Sequence, residues 1–347
     1  LVALDPAPDD ARERRALERG AVELATGCAR RSGDLLPQVG TAQVAEDVER
    51  LRAALGDERL TYLGWSYGTA IGAAYLSAHP DRVRALVLDG AVDPALRWDE
   101  LLSGQAAGFE AALAALLQDC DRTRCAFRRV VAGDLGAAYD ALAARVDRRP
   151  LGVGDRRLGP GEFSTGVGAG LYDREQGWPA VAAGLAAAQE GDGRPLLALA
   201  DAYLERTADG YSSTIEANAA VNCLDREWPR DPEEHAALAA RLDAQFPRFG
   251  AAIGWSGLPC GSWPVPPAPV TVAPPAGAPP VVVVGTTRDP ATPYAWAVRL
   301  AQRLPGSVLL TRDGDGHTAY GADAPECLRR PVDQYLLTGR LPDPGGC

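Results

Sequence analysis

The stretch LTYLGWSYGTAIG, Leu60 to Gly72, constrains the fold of this chain more than any other. A short apolar run, Leu60 to Leu63, leads into Gly64-Trp65-Ser66-Tyr67-Gly68, and a small-residue run, Thr69 to His79, leads out. Where a strand turns directly into a helix, a serine between two glycines is held on a sharp, strained bend that exposes its hydroxyl at the end of a sheet. Without that flanking pattern the pentapeptide is only a turn serine. Upstream, TAQVAEDVERLRAALG sets Val44, Val48, Leu51 and Leu55 on one helical face, with Thr41 as N-cap and Gly56 as stop. Downstream, RALVLDG from Arg84 to Gly90 reads as a second strand. Helix, strand, helix, strand predicts a parallel sheet with crossover connections.

The alternation halts near Leu96. From there to Trp263 the chain reads as alanine-rich helices, among them Gly104 to Gln118, Leu135 to Val146, Trp178 to Gln189 and Pro232 to Phe246, with no buried strand between them. An inserted helical lid is the expectation. The bridge PVPPAPVTVAPPAGAPP, Pro264 to Pro280, suits a stiff extended connector. After it, VVVVG at Val281 to Gly285 predicts a buried central strand, Tyr294 to Leu304 a helix, Ser307 to Thr311 a strand, and CLRRPVDQYLLTG a closing helix. The expected organisation is therefore a first part of an α/β core at residues 1–95, a helical lid at 96–263, and the second part of the core at 264–347.

Composition excludes some classes of partner. A net charge of −11 lacks the basic face that nucleic acid or an anionic membrane surface demands. No apolar run is long enough to span a bilayer. Seven cysteines is an odd number, and their spacing suggests the pairs Cys120–Cys125, Cys223–Cys260 and Cys327–Cys347, with Cys28 left over. That pairing implies an oxidising, extracellular compartment. Nothing has Cys-x-x-Cys metal spacing, and no metal or cofactor is expected.

If Ser66 is a nucleophile it needs a base, and the chain contains 3 histidines. His79 precedes Pro80 at a helix end, where a surface role suffices. His235 lies in DPEEHAALAA, which reads as an acidic, solvated first turn. His317 sits in DGDGHTAYG, a glycine-rich loop just after a predicted strand, and loops at strand ends are where doubly wound folds place chemistry. The third member is expected to be Asp289, in VVVVGTTRDPATP, beyond the most apolar strand. Asp89, in LVLDG, is its rival, with a structural carboxylate holding nearby backbone as the plainer alternative. Asp313 and Asp315 read as loop-forming residues. The chain order Ser66, Asp289, His317 is that of the α/β-hydrolase triad and not of chymotrypsin or subtilisin. In it, Ser66 attacks an acyl carbon, His317 carries the proton, Asp289 holds the imidazole, and the Tyr67 backbone N–H is one oxyanion donor.

The motifs YLGWSYGT, HPDRVRALVLDGAVDP, AVNCLD, GTTRDPATP, GDGHTAYG and the terminal CLRRPVDQYLLTGRLP resemble the secreted tripeptidyl aminopeptidase-like α/β-hydrolases, which are related to prolyl aminopeptidases and common in high-GC actinobacteria. The resemblance spans nearly the whole chain. It implies a secreted serine exopeptidase that releases short peptides from free N-termini, under a helical lid. A free α-amino group then needs a paired carboxylate, for which Asp225, Glu227 and Glu216 are the candidates. Asp225 matches the family's Cys-x-Asp pattern through Cys223, and a local hydrogen bond is the plainer role for such a lid carboxylate.

In one respect the chain departs from the family, whose members carry upstream a Gly-rich His/Asn-Pro-Gly-Gly-Pro-Gly-type segment with a second oxyanion amide. Here the only adjacent glycine pair is Gly345-Gly346, and no methionine occurs. The expectation is a separate or absent N-terminal section that also holds the partner of Cys28, and weak activity or stability for Leu1–Cys347 alone. Competing expectations are a small-molecule esterase, amidase or thioesterase with the same triad, and an inactive fragment that keeps a binding lid. Substrate length and oligomeric state are not legible.

Overall fold

The computed structural model describes residues 1–347. In chain order its helices are α1 (Ala11–Ser32), α2 (Thr41–Ala54), α3 (Gly68–Ala78), α4 (Trp98–Thr123), α5 (Ala126–Val130), α6 (Leu135–Arg148), α7 (Pro160–Gly170), α8 (Gly177–Gln189), α9 (Arg194–Tyr203), α10 (Thr214–Asp225), α11 (Pro232–Gln245), α12 (Gly250–Trp255), α13 (Leu258–Gly261), α14 (Tyr294–Arg303) and α15 (Glu326–Thr338). Its strands are β1 (Leu60–Trp65), β2 (Val83–Asp89), β3 (Leu151–Val153), β4 (Arg156–Leu158), β5 (Arg206–Thr207), β6 (Gly210–Tyr211), β7 (Val282–Arg288), β8 (Val308–Asp315) and β9 (Gly345–Gly346). They form two compact units. The sheet unit comprises 34–104, 224–227 and 265–347, and the helical unit 1–33, 105–223 and 228–264.

The sheet is parallel, in the order β1-β2-β7-β8-β9. Alternation along its strands sorts side chains to two faces, as strand geometry requires. Leu86, Leu88, Val281 and Val283 pack with Ala73, Leu76 and Leu300 from α3 and α14. Ala85, Val87, Val282 and Val284 pack with Leu328, Val332 and Tyr335 of α15. Strands buried on both faces read as unbroken apolar runs, which is why VVVVG was legible as central. At the sheet's far side, β9 is tied down by the Cys327–Cys347 bridge, and the Cys347 N–H donates to the Thr311 carbonyl at 2.9 Å. The Pro-rich bridge carries no helix or strand from residue 264 to 281.

In the helical unit, Leu113, Leu116, Phe127, Leu142, Val167, Val181, Leu185 and Leu196 form the main core, and the bridges Cys120–Cys125 and Cys223–Cys260 close loops within it. These inserted helices make the lid-like region of the fold. The segment holds no buried strand of the sheet kind, only two small, mostly half-buried or exposed antiparallel hairpins, β3 with β4 and β5 with β6, too brief to show as periodic apolar runs. Residues 1–33 also belong to this unit, whereas the sequence placed them with the α/β core. Helix α1 went unread because its buried stripe is Leu17, Ala21 and Ala25 amid arginines and glutamates. Asp10 caps it, accepting from the Arg12 and Glu13 N–H groups at 2.6 and 2.8 Å.

Helix α2 corrects two sequence expectations. Its N-cap is Gly40, with Thr41 already inside the helix. The buried face is Thr41, Ala45 and Arg52, while Leu51 and Leu55 are 63% and 77% exposed. A charged side chain displaced the leucines because Glu49 takes Arg52 in a two-pronged ion pair at 2.6 and 2.7 Å, letting its stem pack inward. The stop at Gly56 is as read: Gly56, at φ +77, donates to the Ala53 carbonyl and Asp57 to that of Arg52, closing the helix in a Schellman turn.

Candidate active site

Ser66 stands between the end of β1 and the start of α3 with φ 53, a conformation that a residue with a side chain adopts only where its surroundings hold it. Its N–H donates to the Asp89 carbonyl at 2.8 Å, and its own carbonyl accepts from the Thr69 N–H at 2.9 Å and the Thr69 hydroxyl at 2.6 Å. Backbone must pass within touching distance of backbone here. A Cβ on Gly64 would lie 2.5 Å from the Gly68 carbonyl oxygen. The bend is therefore a built feature of the sequence, and Tyr67 follows Ser66 at the head of α3, where backbone amides face outward.

Asp289 and His317 meet at the ends of the two neighbouring strands β7 and β8. The His317 Nδ1 lies 2.9 Å from each oxygen of Asp289, which is 3% exposed. Four further donors converge on that carboxylate: the N–H groups of Ala291, Thr292 and Thr318 at 2.9, 2.8 and 3.2 Å, and the Thr292 hydroxyl at 3.0 Å. The first two make the aspartate turn that DPATP encodes. So many donors satisfy the buried carboxylate and fix the face it turns to the imidazole. The Thr292 hydroxyl also lies 3.3 Å from His317 Nδ1, a contact for which the sequence offered only the spacing from Asp289 as a sign.

Asp89, the rival acid, has another use. Fully buried, its carboxylate accepts the N–H groups of Ala319 at 2.9 Å and Tyr320 at 2.7 Å, while its carbonyl holds Ser66. Gly90 follows at φ +68, where a Cβ would lie 3.2 Å from His317 Cε1 and 2.9 Å from the Thr318 methyl. The nucleophile elbow and the histidine loop thus both rest on one Asp-Gly step. The remaining histidines are engaged elsewhere: His79 pairs with Glu46 at 2.9 Å, and His235, read as solvated, is fully buried in α11 with Nε2 3.1 Å from the Pro229 carbonyl. Burial lowers the pKa of His235. Asp313 and Asp315 lie at the end of strand β8 and not in a loop, where β7 pairs with β8 as far as Arg288–Asp315 and the Arg288 side chain meets both acids at 2.7 Å.

Of the three acids considered for a substrate amine, Asp225 is buried and Glu216 and Glu227 are exposed. Asp225 accepts from the Thr41 N–H at 2.9 Å, the Thr41 hydroxyl at 2.6 Å and the Tyr67 phenol. It therefore grips the residue immediately after Ser66. Burial, with Asp225 beside it, raises the Tyr67 pKa beyond its ordinary range and keeps the phenol a donor. Glu216 belongs to the helical unit, near Cys28, whose thiol pKa is raised by burial first and by Glu216 second.

A serine on a strand-to-helix elbow, with an imidazole and carboxylate from later strands of the same parallel sheet, is the apparatus of a hydrolase that works through an activated hydroxyl. Comparison with known proteins agrees. The family described as TAP-like protein matches residues 244–347, and that described as alpha/beta hydrolase fold matches 24–129. The serine protease Hip1 of Mycobacterium tuberculosis is 38% identical over 98% of this chain and 68% of its own length. The tripeptidyl aminopeptidase of Streptomyces lividans is 37% identical over 97% of the chain and 63% of its own length, and carboxylesterase B of M. tuberculosis 41% identical over 92% and 62%. The chain belongs to the α/β-hydrolase superfamily, among these actinobacterial serine proteases, tripeptidyl aminopeptidases and carboxylesterases, and is a serine hydrolase of that general type. No helix is long and apolar enough to cross a membrane.

Proposed function

We propose that this chain is the catalytic part of a secreted exopeptidase that releases short peptides from free N-termini through an acyl-enzyme on Ser66. His317 Nε2 takes the hydroxyl proton as Ser66 Oγ attacks the scissile carbonyl, then delivers it to the departing amine; water repeats the sequence to free the acyl group. Asp289 fixes the tautomer with the proton on Nδ1 and stabilises the imidazolium. The Tyr67 N–H stabilises the oxyanion, as a donor fixed before charge develops. The single observation that supports this most is the His317–Asp289 pair at 2.9 Å, in a chain whose Ser66 is held at φ 53 by a hydrogen bond to the Asp89 carbonyl. The peptidase reading leans on the relatives named serine protease and tripeptidyl aminopeptidase, and the three bridges favour an oxidising compartment.

The substrate ammonium requires a carboxylate. Asp225 already receives Thr41 and Tyr67, so exposed Glu227 is our choice for that role over it and over Glu216. The test compares an N-terminally free tripeptide p-nitroanilide, its N-acetylated form and p-nitrophenyl acetate. Preference for the free peptide, lost as a raised KM in Glu227→Gln, supports the exopeptidase; equal or better turnover of the ester, with no discrimination between the peptides, overturns it. The likeness to a protein named carboxylesterase B makes esterase the second reading, and the same comparison decides between them.

A further inference from the structure

We propose that Asp89 is a positioning residue of the catalytic centre, one that locks the histidine loop to the nucleophile elbow. The proposal rests on the hydrolase reading of Ser66 and His317. Asp89 is the last residue of β2, the strand between β1, which delivers Ser66, and β7, which delivers Asp289. Its two polar ends face in different directions along the site. The main-chain carbonyl accepts the Ser66 N–H at 2.8 Å, which fixes the strained elbow. The carboxylate, with no solvent exposure, accepts the N–H groups of Ala319 and Tyr320 at 2.9 and 2.7 Å.

Residues 318–320 have no regular secondary structure, so no ladder fixes the chain after His317. Thr318 is in the left-handed region at φ 67, a conformation that a β-branched residue keeps only under restraint. Two restraints bracket it: its own N–H donates to Asp289, and the next two donate to Asp89. The two acids therefore divide the work. Asp289 orients the imidazole ring, and Asp89 fixes the backbone from which the ring projects. The charged groups facing Asp89 are His317 and Asp289, the first favouring its ionised form and the second opposing it.

The test uses Asp89→Asn in the full chain, assayed with p-nitrophenyl acetate and by fluorophosphonate labelling of Ser66. Asparagine keeps the volume but turns an N–H₂ toward one of the two amides and removes the charge. We expect kcat to fall about 10- to 100-fold with KM within about twofold, the size of effect that misplacing a reacting group produces. The acid limb of the kcat/KM profile should move to lower pH, because removal of a neighbouring negative charge makes His317 easier to deprotonate. That shift reports the lost charge, whereas the fall in kcat at nearly constant KM reports the lost positioning, and a merely structural carboxylate would leave kcat within about twofold. A folded Asp89→Asn with kcat and acid limb unchanged, beside a wild type that labels, overturns the positioning role alone. An unlabelled wild-type Ser66 overturns the hydrolase reading and the positioning role with it. Should the variant not fold, hydrogen exchange on wild type decides: protected Ala319 and Tyr320 amides support the proposal, and exchange at unfolded-chain rates overturns it.

Discussion

Two carboxylates, Asp89 and Asp289, reach the same four-residue stretch from neighbouring strands, and the donors around them separate their behaviour. Asp289 gathers five donor groups including the imidazole, and its replacement by Asn, which offers the imidazole an amide in place of an acceptor-only carboxylate, should lower kcat by about four orders of magnitude while leaving KM little changed. Stopped assays with the ester substrate read this directly. Asp89 has only backbone amides for partners, and burial pushes its pKa up to about 6 from the ordinary 3.8. A raised acid binds its proton more tightly in the folded than in the unfolded chain. Its contribution to stability is therefore most favourable below about pH 4 and declines as pH rises to about 6, by on the order of 3 kcal/mol at most. Urea midpoints measured from pH 4 to 7 should show a smaller decline with pH in Asp89→Asn than in wild type; parallel curves would contradict it.

Elements matter at the elbow, where the glycines of Gly-Trp-Ser-Tyr-Gly are not equivalent. A Cβ on Gly64 meets the Gly68 backbone at 2.5 Å, whereas one on Gly68 meets only the Tyr62 hydroxyl at 3.4 Å. Gly64→Ala should cost several kcal/mol or abolish folding, and Gly68→Ala should remain folded and label with fluorophosphonate at close to the wild-type rate. Equal tolerance at both positions, judged by thermal midpoint, would contradict the close approach. The elbow is also held from the side. Tyr67→Phe removes a donor to the buried Asp225 and should destabilise the chain by about 1–3 kcal/mol, read from urea unfolding, because a buried charge loses a partner. How far sequence reaches depends on whether a feature is local. The serine elbow, the positions of Asp289 and His317 after apolar strands, and the glycine stop of α2 are each encoded within a few residues. Thr41, Leu51, Leu55 and His235 depart from the local pattern because their places are set by a partner far along the chain or by packing: Asp225 for Thr41, the inward Glu49–Arg52 ion pair that displaces the leucines, and a buried helix face for His235. Helix α1 escaped because alanines at a helical spacing carry little hydrophobic contrast.

Across the whole molecule the three disulfides close loops of different length, and chain entropy ranks them. Sequence separations of 5, 37 and 20 for Cys120–Cys125, Cys223–Cys260 and Cys327–Cys347 correspond to roughly 2, 4 and 3 kcal/mol of restraint on the unfolded chain. The C-terminal bridge has a second effect that loop length ignores. It holds β9 on the edge of the sheet, where Cys347 exchanges hydrogen bonds with Thr311 and Asp313 of β8, the strand that ends two residues before His317. Breaking it frees both a cross-link and an edge, and an uncovered edge invites pairing with other chains. Paired Cys→Ser substitutions should therefore place Cys327/Cys347 above the rank its loop length assigns, with a loss at least equal to that of Cys223/Cys260. It should also bring faster hydrogen exchange at Asp313 and greater aggregation on heating. Denaturant midpoints that follow loop length alone, with Asp313 still protected, would mean that β9 stays paired without its bridge and that the sheet's edge does not depend on it.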